Sequence, residues 1–424
     1  MAAMERVEYQ QNELLRFITA GSVDDGKSTL IGRLLHDSKS IFEDQLAAVE
    51  RTTRRRGING VDLSLLTDGL VAEREQGITI DVAYRYFATP KRKFIIADTP
   101  GHEQYTRNMV TGASTANLAV ILIDARNGVV TQSRRHAYIA SLLGIPHLVV
   151  AVNKMDLVDY SSDVFSAIRE AFDRFAAGLS FRNIIYIPVS ALKGDMVVDR
   201  GENLPWYEGP ALMELLEKIE IAHDFNFDDF RFPVQWVCRP GTDEHHDFRG
   251  YAGRIESGTI AVGDPITVLP SGRSSRVKKI LTFDGERECA FTPESVTLVV
   301  EDDIDISRGD MLVKGGDNAR VAKEYDADIC WLSEKPLDLG RKYAIKHTTK
   351  TAKGFISRIQ YRVDINTLQQ VNDISQLQMN DIARVGLKVQ QPLVIDSYAR
   401  NRATGSFIVI DEASHSTVAA GMIV

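Results

Sequence analysis

The sequence predicts an α/β domain with a mostly parallel sheet, followed by two domains built of β-strands. Three observations support this prediction: apolar runs alternate with amphipathic stretches in the first half, helical periodicity fades near residue 225, and a long stretch remains after that point. The chain has 424 residues, of which 44% are hydrophobic and 25% charged. This composition supplies apolar material for several cores and excludes a disordered or fibrous chain.

Short apolar runs in the first half are predicted to be strands, because each is bounded by Gly, Pro, Asn or Asp. Their near-continuous apolar character is typical of strands that are covered on both faces. They lie at residues 15–20, 94–97, 118–123, 148–152 and 184–189. The stretches between them have helical spacing; for example, Ile168, Phe172 and Phe175 share one side of a predicted helix over residues 164–175. Such alternation predicts helices packed on a mostly parallel sheet.

The second half is predicted to be β-structure. After Phe225, turn pairs such as Ser257-Gly258 and Asp284-Gly285 become frequent, as expected for barrels or sandwiches of short strands. The remaining stretch is too long for one small barrel, so a second break is predicted near residues 323–328. The predicted domains are therefore residues 1–228, 229–325 and 326–424.

Charge, hydropathy and cysteine content exclude several classes of protein. Lys and Arg number 50 against 58 Asp and Glu, a net charge of −8, which gives no general attraction for nucleic acid. The sequence has no apolar run of about 18 residues, so no transmembrane helix is predicted. The first residues do not resemble a secretory signal. Cys238, Cys289 and Cys330 are too few and too scattered for a disulfide framework or zinc cluster. We expect reduced cysteines and a cytoplasmic protein without nucleic-acid or membrane partners.

A phosphate-binding loop of the pattern G-x-x-x-x-G-K-S is predicted between the first strand and the first helix. With the residue that follows it, the loop consists of Gly21, Ser22, Val23, Asp24, Asp25, Gly26, Lys27, Ser28 and Thr29. Backbone N–H groups of such a loop surround phosphate, Lys27 supplies positive charge to the β- and γ-phosphates, and the Ser28 hydroxyl is a predicted Mg²⁺ ligand. The alternative is a glycine-rich turn with an incidental lysine.

Two segments later in the chain are predicted to complete the part of the site that binds the phosphates, which we call the phosphate side. Thr79 is a candidate for the Mg²⁺ shell and for sensing the γ-phosphate; its alternative is an edge-strand threonine. Asp98 follows the second predicted strand, where a carboxylate holds Mg²⁺ through water, and Gly101 offers its N–H to the γ-phosphate. Taken alone, that segment is more typical of a turn.

Asn153, Lys154 and Asp156 follow the predicted strand over residues 148–152 and are candidates for binding a base. The Asp156 carboxylate accepts hydrogen bonds from the N1–H and 2-amino groups of guanine, which adenine lacks, so ATP would leave it unpaired. Asn153 would brace the loop, and the Lys154 stem would cover the base. The alternative interpretation is a helix cap.

Ser190, Ala191 and Leu192 follow the next predicted strand, 34 residues after Asp156. The Ala191 N–H is a candidate donor to guanine O6, although the segment alone is a weak signal. Together the segments occur in order and mostly at strand ends, where open α/β sheets bind ligands. They predict GTP and Mg²⁺ as ligands of an α/β P-loop GTPase domain.

Residues 98–109, DTPGHEQYTRNM, resemble the translational GTPase superfamily, which includes elongation factor Tu. The superfamily places a histidine after the Pro-Gly pair. The resemblance implies a G domain followed by two β-barrels, and it implies that His102 orients the attacking water. It thereby groups His102 with Lys27 and Thr79 as the catalytic candidates. The alternatives for His102 are a solvated loop histidine or a packing residue.

Within that superfamily, residues 21–37, 108–116 and 123–136 are similar to the GTPase subunits of bacterial ATP sulfurylases, the sulfate adenylyltransferases. This resemblance implies a smaller catalytic partner subunit that makes adenosine 5′-phosphosulfate from ATP and sulfate, driven by GTP hydrolysis here. An elongation factor that delivers aminoacyl-tRNA is the alternative, since it has the same domain plan. A GTPase-like scaffold without turnover is a third hypothesis, which the complete motif set disfavours.

Overall fold

A computed structural model describes residues 14–39, 63–66, 81–102, 106–221, 225–239 and 248–424, together with positions 47, 49 and 53. The chain divides into two compact units. The first contains residues 1–223 and 364–369, and the second contains residues 224–363 and 370–424.

The first unit is built on a six-stranded sheet with the order β2-β3-β1-β4-β5-β6. Its strands are β1 (Leu14–Ala20), β2 (Ala83–Ala88), β3 (Lys93–Asp98), β4 (Leu118–Asp124), β5 (His147–Asn153) and β6 (Asn183–Pro188). All neighbours are parallel except β2 and β3. The predicted strands and the mostly parallel sheet are therefore confirmed. Strand β2 was not predicted, because this edge strand has mixed polar and aromatic residues instead of an apolar run.

Five α-helices are described in the first unit. They are α1 (Lys27–Asp37), α2 (Thr106–Ala113), α3 (Thr131–Leu142), α4 (Ser162–Ala176) and α5 (Leu212–Lys218). The predicted helix over residues 164–175 is confirmed as α4, and Ile168, Phe172 and Phe175 are all buried on it. Ser161 caps this helix, its hydroxyl accepting the Val164 N–H at 3.4 Å.

The sheet brings four strand ends to one edge. Every residue of β4 and β5 is buried, so these strands have helices or other chain on both faces. The parallel register pairs Thr19 with Asp98 and Asp124 with Asn153. Because the carboxyl ends of parallel strands meet at the same edge, the polar residues that end β3, β4 and β5 lie beside the loop that follows β1.

The second unit contains two closed barrels. The first has the order β10-β15-β7-β8-β14-β11 and is closed by pairing of β10 with β11. Its strands are β7 (Phe232–Cys238), β8 (Gly250–Arg254), β10 (Pro265–Leu269), β11 (Arg273–Thr282), β14 (Ser295–Val300) and β15 (Met311–Lys314). Strand β12 (Gly285–Arg287) extends β11 as a hairpin, while β9 (Thr259–Ala261) pairs with β13 (Cys289–Phe291). Phe230, Phe232 and Tyr251 are the largest side chains of its core.

The second barrel has the order β17-β21-β22-β16-β20-β18 and is closed by pairing of β17 with β18. Its strands are β16 (Arg320–Trp331), β17 (Tyr343–His347), β18 (Lys350–Val363), β20 (Ile382–Ile395), β21 (Ser406–Ile410) and β22 (Thr417–Ile423), with β19 (Gln370–Val371) extending β18. Its core is centred on Trp331, Tyr343 and Phe407. The predicted fold class, an α/β domain followed by two β-barrels, is confirmed.

The exact domain boundaries stay a prediction. The first predicted boundary, at residues 228 and 229, lies shortly before β7 begins at Phe232. The second, at residues 325 and 326, lies inside β16, whose residues pair with β20 from Arg320 to Cys330 apart from an irregularity between Ala322 and Glu324. The strand thus runs through the point where the turn pattern suggested a break.

The remaining class predictions concern cysteines and membranes. Cys238, Cys289 and Cys330 form no disulfide. Within the described ranges, none of the helices is both long and apolar enough to cross a membrane.

Candidate functional site

The loop after β1 has a backbone that depends on two glycines. Gly21 has φ +146° and Gly26 has φ +92°, which are backbone conformations that residues with a side chain rarely adopt. A Cβ at Gly26 would lie 2.4 Å from Asn153 Nδ2, and one at Gly21 would lie 2.8 Å from the Leu122 carbonyl oxygen. The loop therefore fits closely between the ends of β4 and β5, as a phosphate-binding loop requires.

Lys27, the first residue of α1, is buried beneath this loop. Its ammonium group donates to the carbonyl oxygens of Gly21 at 3.2 Å and Ser22 at 2.7 Å. Burial lowers the pKa of Lys27, and the negative charges of Asp98 and Asp25 oppose that shift. A buried cation held by neutral carbonyls at a helix N-terminus is suited to binding an anion.

Asp25 closes the loop from inside. Its Oδ2 accepts the Ser22 N–H at 2.6 Å. Burial raises the pKa of Asp25, while the positive charge of Lys27 acts to lower it. The loop thus carries its own carboxylate next to the lysine, so a bound phosphate would face charges of both signs.

Asp98 and Gly101 lie against the phosphate-binding loop. Asp98 ends β3, is buried, and accepts the Thr19 hydroxyl at 3.1 Å. A Cβ at Gly101 would lie 2.6 Å from Lys27 Nζ and 2.9 Å from the Val23 nitrogen, so only glycine allows this close approach. The Gly101 carbonyl accepts Gln132 Nε2 at 3.2 Å. His102 follows directly and is half-buried.

Asn153 connects the phosphate-binding loop to the loop after β6. Its Nδ2 donates to the Asp25 carbonyl at 2.8 Å, and its Oδ1 accepts the Ala191 N–H at 2.9 Å. These two hydrogen bonds link the loops, and the bracing role of Asn153 stays a prediction. The Ala191 N–H already donates to this side chain, so its predicted bond to guanine O6 stays a prediction.

Asp156 and Lys154 extend the site on the far side of Asn153. Asp156 Oδ1 accepts the Ser190 hydroxyl at 2.7 Å, which fixes one carboxylate oxygen against the loop after β6. Lys154 has φ +62°, and its ammonium group lies 2.9 Å from Asp124 Oδ2. Ser190 and Ala191 are buried, whereas the Leu192 side chain is 62% exposed.

The residues at this edge of the sheet fit a phosphate group with Mg²⁺. Gly21, Gly26 and Gly101 allow the loop to lie close to the ends of β4 and β5 and to the buried ammonium of Lys27. Ser28 begins α1 beside Lys27, and Asp98 ends a strand at the same edge. Hydroxyl and carboxylate oxygens are the donors that Mg²⁺ prefers.

Comparison with known proteins identifies the family. Residues 12–222 match the family model described as the elongation factor Tu GTP binding domain, and residues 324–424 match the GTP-eEF1A C-terminal domain-like model. A protein of Saccharophagus degradans named sulfate adenylyltransferase subunit 1 is 56% identical over 98% of this chain and 88% of its own length. The chain belongs to the sulfate adenylyltransferase subunit 1 family.

Two further similarities accompany this one. The bifunctional enzyme CysN/CysC of Mycobacterium tuberculosis is 56% identical over 97% of this chain and 67% of its own length. A crystal structure of sup35 complexed with GDP aligns with a TM-score of 0.44 at 23% identity, covering 97% of this chain and 94% of that one, a likeness too low to bear on function. The predicted resemblance to the sulfate adenylyltransferase GTPase subunits is confirmed, and the first unit is a GTP-binding domain of the elongation factor Tu type.

Two residues that contact the predicted site, His136 and Asp124, were not predicted from the sequence. His136 on α3 accepts the Gly21 N–H through Nδ1 at 3.0 Å; burial, Lys27 and Arg135 lower its pKa from 6.5 to about 3, so the ring is neutral. Asp124 bonds Lys154 and Arg126. Burial would raise the pKa of Asp124, but those hydrogen bonds outweigh it and hold the pKa well below the ordinary value.

The signals for these two residues differ. Asp124 ends an apolar strand, as Asp98 does, and that position in the sequence could have indicated a place at the site. His136 carries no local signal, because its contact spans 115 residues.

Several predicted site residues have a place in the structure but no tested role. Ser22, Val23, Asp24, Ser28 and Thr29 all lie in the loop or the first turn of α1. Thr79 lies outside the described residues. Their roles stay predictions.

Proposed function

We propose that this chain is the GTP-hydrolysing subunit of a heteromeric sulfate adenylyltransferase, and that GTP hydrolysis drives adenylation of sulfate by ATP. The observation that carries the proposal is 56% identity with a sulfate adenylyltransferase subunit 1 over 98% of the chain. The partner is a smaller catalytic subunit that transfers the adenylyl group, with release of diphosphate. The proposal includes a cytoplasmic location, where ATP and GTP are available to both subunits.

The hydrolytic step is attack of water on the γ-phosphorus. A bond forms between the water oxygen and phosphorus, the bond to the β,γ-bridging oxygen breaks, and GDP and phosphate are released. His102 orients the water, and Lys27 neutralises negative charge on the β- and γ-phosphates. Ser28, Thr79 and Asp98 would hold Mg²⁺, which would neutralise further negative charge on the phosphates.

Selection of guanine rests on Asp156, which accepts the N1–H and 2-amino groups of the base. Ser190 and Asn153 support this role. Ser190 holds one Asp156 oxygen, and Asn153 connects the base loop, residues 190–194 after β6, to the phosphate-binding loop. The Lys154 stem covers the base while its ammonium bonds Asp124. Adenine would leave the Asp156 carboxylate without its donors, at a cost that makes ATP a poor ligand.

The test is GTP hydrolysis by this chain together with its co-purified partner. We expect the rate to rise when the partner, ATP and sulfate are all present, and not when either substrate is omitted. A rate that ignores ATP and sulfate but rises with ribosomes would contradict the proposal in favour of an elongation factor, and binding of charged tRNA on filters would confirm that outcome.

A further inference from the structure

Arg33 lies on α1, six residues after Lys27, and points toward the base loop. Its Nε donates to the Ala191 carbonyl at 3.1 Å, and its Nη2 donates to the Leu192 carbonyl at 2.5 Å. The side chain is 19% exposed. A guanidinium group presents several donors in a fixed planar arrangement, so it binds two successive carbonyls in a way that a lysine cannot.

The surroundings of Arg33 limit its motion. Asp37, one turn later on α1, places Oδ1 3.5 Å from Arg33 Nη1. Gly194 has φ +93°, and a Cβ there would lie 3.5 Å from Asp37 Oδ2 and 3.6 Å from Arg33 Cδ. The chain after Leu192 therefore turns back against this pair. Helix α1 and the loop 190–194 are in direct contact through Arg33.

The contacts of Arg33 complete a ring of hydrogen bonds. The Ala191 N–H donates to Asn153 Oδ1, and Asn153 Nδ2 donates to the Asp25 carbonyl. Asp25 stands two residues before Lys27, where α1 begins, and Arg33 on α1 returns to Ala191. The ring thus joins the phosphate-binding loop, the end of β5 and the base loop. Asp156 is attached to it through the Ser190 hydroxyl.

We propose that Arg33 is a positioning residue for base selection, which holds the loop 190–192 so that Asp156 meets the N1–H and 2-amino groups of a guanine nucleotide. This inference rests on the proposed function of the same site. Two carbonyls of the loop take charged donors from Arg33, and such hydrogen bonds are stronger than neutral ones. Without them the loop loses its direct attachment to α1, which loosens the placement of Ser190 and of the Asp156 oxygen that its hydroxyl holds.

The test compares GDP with IDP, because hypoxanthine lacks only the 2-amino group of guanine. We expect Arg33→Ala to weaken GDP binding about tenfold, the order for loss of charged hydrogen bonds, and to reduce the preference for GDP over IDP by about fivefold. Arg33→Lys keeps the charge but not the planar donors, so its preference should lie between those of wild type and Arg33→Ala. Calorimetric titration of each variant with each nucleotide gives these ratios.

Separate measurements of nucleotide binding and of turnover distinguish a positioning role of Arg33 from general damage to the protein. Arg33 contacts the base loop and not the phosphate-binding loop, so the affinity ratio of GTP to GDP should stay at the wild-type value. At saturating GTP, kcat should stay within about twofold while KM rises, because only base binding is affected. Arg169→Ala is the matched control, since Arg169 is 60% exposed and pairs with Asp173 one turn along α4.

Each outcome decides one question. A wild-type chain that binds no GDP overturns the proposed function. A wild-type chain that prefers GDP, with folded Arg33 variants that keep the same preference, overturns the inference alone. Circular dichroism reports folding; if Arg33→Ala does not fold, Arg33→Lys decides, because a wild-type preference in that variant contradicts the role and a reduced one supports it.

Discussion

The phosphate side and the base side of the nucleotide site differ in the sequence distance that the hydrogen bonds of Lys27, Asp25, Asn153 and Arg33 span; the bond of Gly21 to His136, across 115 residues, is an exception on the phosphate side. On the phosphate side, Lys27 bonds the carbonyls of Gly21 and Ser22, and Asp25 bonds the Ser22 N–H, contacts of three to six residues. On the base side, Asn153 bonds Asp25 across 128 residues, and Arg33 bonds Ala191 across 158.

We infer from this difference that the two sides have different functions in nucleotide binding. The phosphate side concentrates charge in a short loop, which suits binding and hydrolysis of any nucleoside triphosphate. The base side consists of separate elements held in register, which suits discrimination between bases. Variants on the phosphate side should therefore change affinity or turnover for all bases alike, whereas variants on the base side should change the ratio between bases.

Lys27→Ala is expected to have the largest effect. The buried ammonium is the positive charge within the loop, so its loss should weaken GTP binding about 100-fold or more, the order for a buried charge-assisted contact. Fluorescence titration should show the same loss for GTP and ITP. Lys91→Ala is the control, because Lys91 is 68% exposed and pairs with Glu217 at the surface. A loss of affinity much larger for GTP than for ITP, or the reverse, would contradict the division between the phosphate side and the base side.

His102→Ala is expected to slow turnover without changing affinity. Loss of a group that orients water costs about 100-fold in kcat, within the range for proton-handling side chains. GTP affinity should stay similar, because His102 follows Gly101 and is no part of the phosphate-binding loop. Single-turnover hydrolysis with the partner present is the measurement. Normal turnover would refute the role proposed for this histidine.

Asp156→Asn is expected to change base preference. An amide donates where the carboxylate accepts, so GTP binding should weaken about tenfold or more while xanthine nucleotides, which have an oxygen in place of the 2-amino group, bind better. Competition between GDP and XDP measures the ratio. Asp163→Asn, an exposed residue in the first turn of α4, is the control. An unchanged ratio would show that Asp156 does not select the base.

His136→Ala tests the long-range contact on the phosphate side. It leaves the buried Gly21 N–H without its acceptor, which should weaken GDP and IDP binding equally, about five- to tenfold. Exposed His415 provides the matched control, His415→Ala. If base preference changed instead, the separation between the two sides would fail.

The same variant has a pH signature. Because the pKa of His136 falls from 6.5 to about 3 on folding, the unfolded chain binds a proton that the folded chain excludes between those values. The free energy of unfolding therefore falls as pH decreases from 6.5, by at most about 1.4 kcal/mol per unit from this group. His136→Ala should flatten that slope in denaturant titrations between pH 6.5 and 4.5. An unchanged slope would contradict the buried neutral ring.

Local patterns predicted much of this molecule. The five parallel strands follow from apolar runs, since burial of both faces removes the need for polar residues. The phosphate-binding loop follows from a motif within eight residues, because the contacts of Lys27 and Asp25 to Gly21 and Ser22 are local. Strand β2 was missed because an edge strand needs no continuous apolar run, and the break predicted at residues 325 and 326 fell inside β16 because turn patterns do not report where strands pair.

By itself, the sequence determined the order of the elements, the family, and the residue types available to bind phosphate and guanine. Only the tertiary structure decided that Arg33, Asp124 and His136 contact the predicted site residues, and that the Ala191 N–H already has an acceptor in Asn153. The physical reason is that a hydrogen bond depends on distance in space. A sheet with parallel strands brings together strand ends separated by a hundred residues or more, and no local pattern records which of them will meet.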